Sequence, residues 1–294
     1  VLQVSANPYV VALGPEKTAS SRLNLAQALN SLGTTVGPYV GGILFFGTAG
    51  TLAANAATAE SVKVPYLMLA AALLTIAVVF AFFKLPVIAE HTEEQDCKAK
   101  GHSLAEAPHL MMGVIGIFCY VGAEVSIGSF LVNYFGEEHI AGLEEHAAAS
   151  LIAYYWGGAM VGRFIGSAAL QKIAPSKALF FNAMMVIVLL LVTIFTEGDV
   201  ALYSVLAIGL FNSIMFPTIF SVAIEGLGSL TSKGSGWLCL AIVGGALVPL
   251  VQGVVADTVN IQQSFFVPVI CYAFIAWYGL NVVRLADSWK KRIS

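Results

Sequence analysis

Charge is what this chain has least of. Asp, Glu, Lys and Arg make up 11% of its 294 residues, where a soluble domain carries about 25%. Hydrophobic residues reach 58% and the mean hydropathy is +0.84, so a water-soluble globule is excluded and an integral membrane protein is expected. Cysteine is also scarce. Three of the four (Cys119, Cys239, Cys271) fall in apolar runs and Cys97 in a polar loop, which suggests neither a disulfide framework nor paired metal ligands. The chain has no H-E-x-x-H, no G-x-S-x-G and no paired intramembrane aspartates, the usual marks of an intramembrane enzyme. It has no G-x-x-x-x-G-K-[ST] loop either, which argues against nucleotide-driven pumping. No enzyme activity, cofactor, metal site or nucleic-acid partner is expected.

What the chain does have is a series of apolar runs, each near or above the ~20 residues that a helical span needs. They cover residues 23–46, 64–83, 109–135, 147–170, 178–196, 200–224, 234–256 and 258–283. Residues 1–13 form a shorter run, which opens as if in the middle of a segment and predicts earlier helices before Val1. The expected fold is an all-α membrane bundle with eight complete transmembrane helices and one partial one. Residues 85–108 are the longest hydrophilic stretch and divide the chain into a partial N-terminal group (1–84) and a C-terminal group (109–294).

The run 109–135 holds one acidic residue, Glu124, fifteen residues from the first and eleven from the last. Such a side chain at mid-membrane costs about 3 kcal/mol, so it usually faces a polar cavity or an ion path. A structural hydrogen bond is the plainer alternative. In run 23–46, Asn24, Gln27, Asn30, Ser31 and Thr34 share one helical face, where a lipid-facing amide would be costly. Gly33, Gly37 and Gly41 lie beside it, and Gly158, Gly162 and Gly166 repeat the spacing in run 147–170. Small residues at every fourth position let helices approach closely, so packing is the favoured role. Tyr154, Tyr155 and Trp156 offer flat faces on which a ring could stack, and interfacial anchoring accounts for them at least as well.

Threading the runs alternately through a bilayer puts every Lys and Arg except Lys63 on one side. The positive-inside rule makes that side the cytoplasm, with the central loop and the C-terminus. Across the central loop the chain repeats itself. Pro8 precedes Pro38-Tyr39-Val40-Gly41-Gly42 by thirty residues, and Pro217 precedes Pro249-Leu250-Val251-Gln252-Gly253 by thirty-two. Both pairs run in the same membrane direction, which predicts two pseudo-symmetric halves related as parallel repeats. The register sets Gln3, with Asn7 one turn on, against Asn212 across the pseudo-axis.

LQVSANPYVVALGPE and SRLNLAQALNSLGTTVGPYVGG resemble helices 4 and 5 of the fucose permease family of the major facilitator superfamily. YVGAEVSIGSFLVNYF, VGRFIGS, FPTIFSVAI and AIVGGALVPLVQGVVAD are similar to its helices 7, 8, 10 and 11, and the bacterial glucose/galactose transporter branch fits best. The resemblance implies a twelve-helix sugar:cation symporter of the inner membrane, here starting within helix 4. It implies sugar contacts at Gln27 and Asn30, and a cytoplasmic gating and packing role for Arg163. The chain departs from the pattern in one informative way. Fucose permeases carry a glutamate where this chain has Gln3, and a glutamine where it has Glu124, so an amide and an acid have exchanged helices. Glu124 is therefore the expected ion-coupling group, for H+ or Na+, and Gln3, Gln27, Asn30, Asn7 and Asn212 are the expected hexose contacts. The expected partners are a hexose, a coupling cation and the lipid bilayer, for a multi-pass protein acting as a monomer. A non-transporting sensor or assembly subunit on the same fold is the alternative, although a sensor is expected to carry an added soluble domain.

Overall fold

The computed structural model describes residues 2–46, 59–82 and 103–293, and all regular structure among them is helical. The helices, in chain order, are α1 (Leu2–Ala12), α2 (Ala19–Phe46), α3 (Ala59–Phe82), α4 (Pro108–Gly136), α5 (Glu145–Ala169) and α6 (Pro175–Phe195). They continue with α7 (Gly198–Asn212), α8 (Met215–Ala223), α9 (Thr231–Leu240), α10 (Gly244–Thr258), α11 (Ile261–Ser264) and α12 (Phe266–Ile293). Among the described residues, five stretches are long and apolar enough to cross a bilayer: α4, α6, Gly198–Ala223, Gly228–Thr258 and Ile261–Arg292. Helix α3 begins at Ala59, five residues before the apolar run expected at 64–83. The loop predicted over 85–108 falls almost wholly outside the described residues.

The chain forms two compact units. One is Leu29–Ile88, which holds the second part of α2 and all of α3. The other, Val1–Ala28 with Ala89–Ser294, carries the core and the site. Its core gathers Ile117, Tyr120, Ala123 and Ile127 of α4 with Leu179 and Val186 of α6, Val205 and Ile208 of α7, and Tyr272 and Ile275 of α12.

Local signals fix the ends of these helices. Ser103 accepts from the Ala105 N–H while Glu106 accepts from the Ser103 N–H, a capping box that leads into Pro108 at the first turn of α4. Arg22 closes the turn between α1 and α2. Its guanidinium donates to the carbonyls of Val10 (3.3 Å), Val11 (2.5 Å), Gly14 (3.1 Å) and Pro15 (2.9 Å) and to the Thr18 hydroxyl (2.6 Å). The carbonyls at the end of α1 would otherwise lack partners.

Two apolar runs, 200–224 and 234–256, are broken in their middles, the second by a single tight turn at Ala241–Val243. Residues 200–224 read as a single span, yet α7 stops at Asn212 and α8 starts at Met215. Pro217 is the cause, because a proline has no N–H to return to the carbonyl four residues earlier, here that of Ser213. In the first turn of α8 the missing donor costs nothing, since helices begin with unpaired N–H groups anyway.

Glycines bring α5 against the break. A Cβ on Gly162 would collide with the Leu210 carbonyl and the Ser213 side chain, and one on Gly166 with the Ile214 side chain. At Gly158 it would lie 3.4 Å from the Leu210 nitrogen, and from the other side Gly209 meets the Tyr155 carbonyl. Gly33 differs, with nothing among the described residues within 4 Å of a Cβ built there. Gly37 and Gly41 are helical, and their surroundings lie outside the described residues.

Candidate functional site

Glu124 is not the isolated carboxyl that the sequence suggests. It stands on α4 four residues after Tyr120, one turn apart on the same face, and the Tyr120 hydroxyl lies 2.8 Å from its Oε1. Arg163 of α5 brings its Nη2 to 3.9 Å from the same oxygen. That distance makes a charge contact, though a charge-assisted hydrogen bond would need ~2.7–2.9 Å. Both side chains are largely buried, 13% exposed for Glu124 and 16% for Arg163, so solvent screens their attraction little. Alternate threading counts Arg163 among the cytoplasmic-side charges, and its long side chain reaches the acid on α4. The sequence holds no direct sign of this pair, whose members sit on different helices. Tyr120 was discoverable, because its spacing from Glu124 is that of helical neighbours.

The broken helix completes the arrangement. Arg163 donates from Nε to the Ser213 carbonyl at 3.3 Å, the acceptor that Pro217 leaves without a helical donor. Tyr120 also reaches the neighbouring Asn212 carbonyl at 3.0 Å. Its hydroxyl has one proton for two acceptors, Glu124 and Asn212, and serves one at a time. The Asn212 side chain is fully buried and donates to the Tyr155 hydroxyl at 2.9 Å while accepting from Tyr272 at 2.7 Å. Asn212 therefore joins α5, α7 and α12 through their polar tips. Tyr155 is spent in the same network and offers no open face to a sugar, while Tyr154 is exposed. From the opposite side, Asn24 of α2 donates to the Arg163 carbonyl at 2.8 Å, and Ser21 to that of Ser167 at 2.7 Å.

A cavity of about 190 Å3 opens on this cluster. Gln3, Gln27, Tyr120, Glu124 and Arg163 supply its polar lining, and Val121, Phe216, Pro217 and Ile242 its apolar one. A water claims roughly 30 Å3 of liquid, so several waters or a small polar solute fit. Two of the five expected hexose contacts, Gln3 and Gln27, line the cavity together with the expected coupling acid. The other three do not. Asn7 is buried with its Nδ2 unpartnered, Asn212 is buried in the tyrosine network, and Asn30 is exposed and belongs to the Leu29–Ile88 unit. Among the described residues no cluster of His, Cys, Asp or Glu could hold a metal ion.

Polar groups around a cavity between broken helices are a transporter's arrangement, and comparison with known proteins decides whose. The sequence model of the Major Facilitator Superfamily matches residues 1–241. The chain belongs to this superfamily. It is 57% identical over 280 residues to the glucose/galactose transporter of Brucella abortus (strain 9-941), an alignment covering 95% of this chain and 68% of that protein. It is 33% identical over 298 residues to the L-fucose-proton symporter of Escherichia coli K12, covering 93% and 67%. A crystal structure of a superfamily transporter, FucP, in the outward conformation superposes with a TM-score of 0.84 at 30% identity, covering 96% of this chain and 72% of that one. Within the superfamily the chain falls in the fucose permease family with the glucose/galactose transporters, as its motifs predict. It is a transporter protein rather than an enzyme.

Proposed function

We propose that this protein imports a hexose together with a proton, by alternating access across the inner membrane. One observation carries the reading: two uncharged amides, Gln3 and Gln27, share a cavity with the Glu124 carboxylate. Sugar hydroxyls need partners that both donate and accept, which amides do without competing for the ion. A driving gradient needs a group that takes up a cation inside the membrane, the usual role of an intramembrane acid. Gln3 and Gln27 are accordingly the sugar contacts, and Glu124 the coupling group. The relatives support the substrate and the ion by their names, glucose/galactose transporter for the one and L-fucose-proton symporter for the other. The spans are read as eight complete and one partial, in two pseudo-symmetric halves (1–84 and 109–294). A cytoplasmic loop at 85–108 joins them, and the C-terminus is cytoplasmic. The test is uptake of labelled glucose and galactose into membrane vesicles that carry the protein. Accumulation should follow an imposed pH gradient and collapse with a protonophore. Uptake that requires sodium and ignores the pH gradient would overturn the proton, and no accumulation of either sugar would overturn the hexose.

A further inference from the structure

The cysteines have no part in that proposal, yet the fold brings two of them together. Cys119 of α4 and Cys271 of α12 meet thiol to thiol in a side-chain hydrogen bond, and both are half-buried and free. Their helices run antiparallel. Tyr278 reaches back to the His109 carbonyl near the start of α4, while Tyr272, earlier in α12, meets Asn212 together with Tyr120, later in α4. The thiol contact sits in the same register, one residue before each of those tyrosines. Two cysteines can be joined only where their side chains point at one another, and these do. The ground beside the pair is apolar and open. Ile115, one turn before Cys119, is 41% exposed, and Ile270, next to Cys271, is 71% exposed. On a membrane-spanning helix such a surface meets acyl chains. We propose that Cys119 and Cys271 form a redox modification site: an organic hydroperoxide from the surrounding lipid oxidises the two thiols to a disulfide, which ties α4 to α12 beside Tyr120 and slows transport.

The step balances with the peroxide as the two-electron oxidant. One sulfur attacks a peroxide oxygen, the O–O bond breaks, and the thiol proton leaves with the alkoxide as an alcohol. The other thiol attacks the resulting sulfenic acid, the S–S bond forms and the S–O bond breaks, and the hydroxide leaves with the second thiol proton as water. A dithiol reductant returns the pair to free thiols by exchange. The consequence for transport lies one residue away. The Tyr120 hydroxyl has the Glu124 carboxylate at 2.8 Å and the Asn212 carbonyl at 3.0 Å, and Tyr272 holds the Asn212 side chain at 2.7 Å. A cross-link between the residues that precede both tyrosines limits any sliding of α4 along α12, and with it the exchange of partners at Tyr120. The plainer role for the pair is packing, since a buried thiol behaves as a small hydrophobe, and that role predicts no cross-link.

The full chain is tested in vesicles with Cys97 and Cys239 replaced by Ser, so that only the pair remains. It is treated with cumene hydroperoxide, an apolar organic peroxide, or with hydrogen peroxide, and then read by mass spectrometry and by sugar-for-sugar exchange. Both thiols should disappear with a loss of about 2 Da, the two hydrogens of a disulfide, and dithiothreitol should restore them. Cumene hydroperoxide should act faster than hydrogen peroxide, and faster action by hydrogen peroxide would overturn the lipid as the source. Exchange should fall in proportion to the fraction cross-linked and recover with the reductant. Cys119→Ser and Cys271→Ser should each abolish the cross-link, leave a sulfenic acid on the remaining cysteine and exchange sugar whether or not peroxide is added. Thiols that stay free, or that oxidise singly with no bond between them, would overturn the site. A complete cross-link with undiminished exchange would overturn its hold on transport. The mass readout needs no sugar, so a protein that exchanges neither hexose even when reduced would fail the hexose reading and still test the cysteine pair.

Discussion

Replacing Asn212 by Ala separates two roles that one residue could hold. The internal repeat pairs Asn212 with Gln3 as a sugar contact, whereas its side chain sits fully buried between Tyr155 and Tyr272. Two interhelical hydrogen bonds would be lost, at 2.9 and 2.7 Å. Such bonds in membrane proteins are worth about 0.6 kcal/mol on average and ~1.7 at most, so the loss should be about 1–3 kcal/mol. At roughly 2–4 °C per kcal/mol, the expected fall in melting temperature is between a few degrees and about ten. Thermal unfolding of the detergent-purified protein reads this directly, and sugar binding well below the transition reads affinity. Adding Tyr272→Phe isolates the pairwise part, because Asn212→Ala has already removed that bond and the two effects should not add. Affinity should shift little in the single mutant. An unchanged melting temperature with a tenfold loss of sugar affinity would refute the argument and return Asn212 to the substrate.

Two more expectations come from the cavity and the glycines. Gln27→Ala should weaken sugar binding about three- to tenfold, the loss of one ordinary hydrogen bond, while the protein still reaches the membrane; unchanged affinity in a binding assay would remove Gln27 from the site. Gly162→Leu should block transport, since even a Cβ there meets the Leu210 carbonyl, while Gly33→Ala should transport normally and gain up to ~1 kcal/mol of stability. Equal behaviour of the two variants in uptake and unfolding assays would contradict the packing.

The helices were legible in the sequence because a bilayer leaves the backbone little choice: an apolar run of ~20 residues must satisfy its own N–H and C=O groups, and a helix does so. Glu124 was legible for a related reason, since one acid among apolar neighbours is too costly to be idle. Its partner was not. Counting charges by loop assigns Arg163 a side of the membrane, but a long side chain can carry its charge several ångströms from its backbone. Pro217 is plain in the sequence, yet only the fold shows which donors meet the carbonyls it exposes. Asn212 shows a different limit. A repeat fixes where a residue lies along its helix, and leaves open which way it faces, toward the cavity or into a cluster of tyrosines.

The Arg22 turn bears on how the protein is made. All five of its bonds reach partners no more than twelve residues away in sequence. Closing a loop of about ten residues takes ~10–100 ns, while a ribosome adds roughly 5–20 residues each second. The turn can therefore close about a million times faster than the chain grows, as soon as Arg22 leaves the exit tunnel. The turn between α1 and α2 is then set while most of the later helices are still unmade, and those helices assemble against an end that is already fixed.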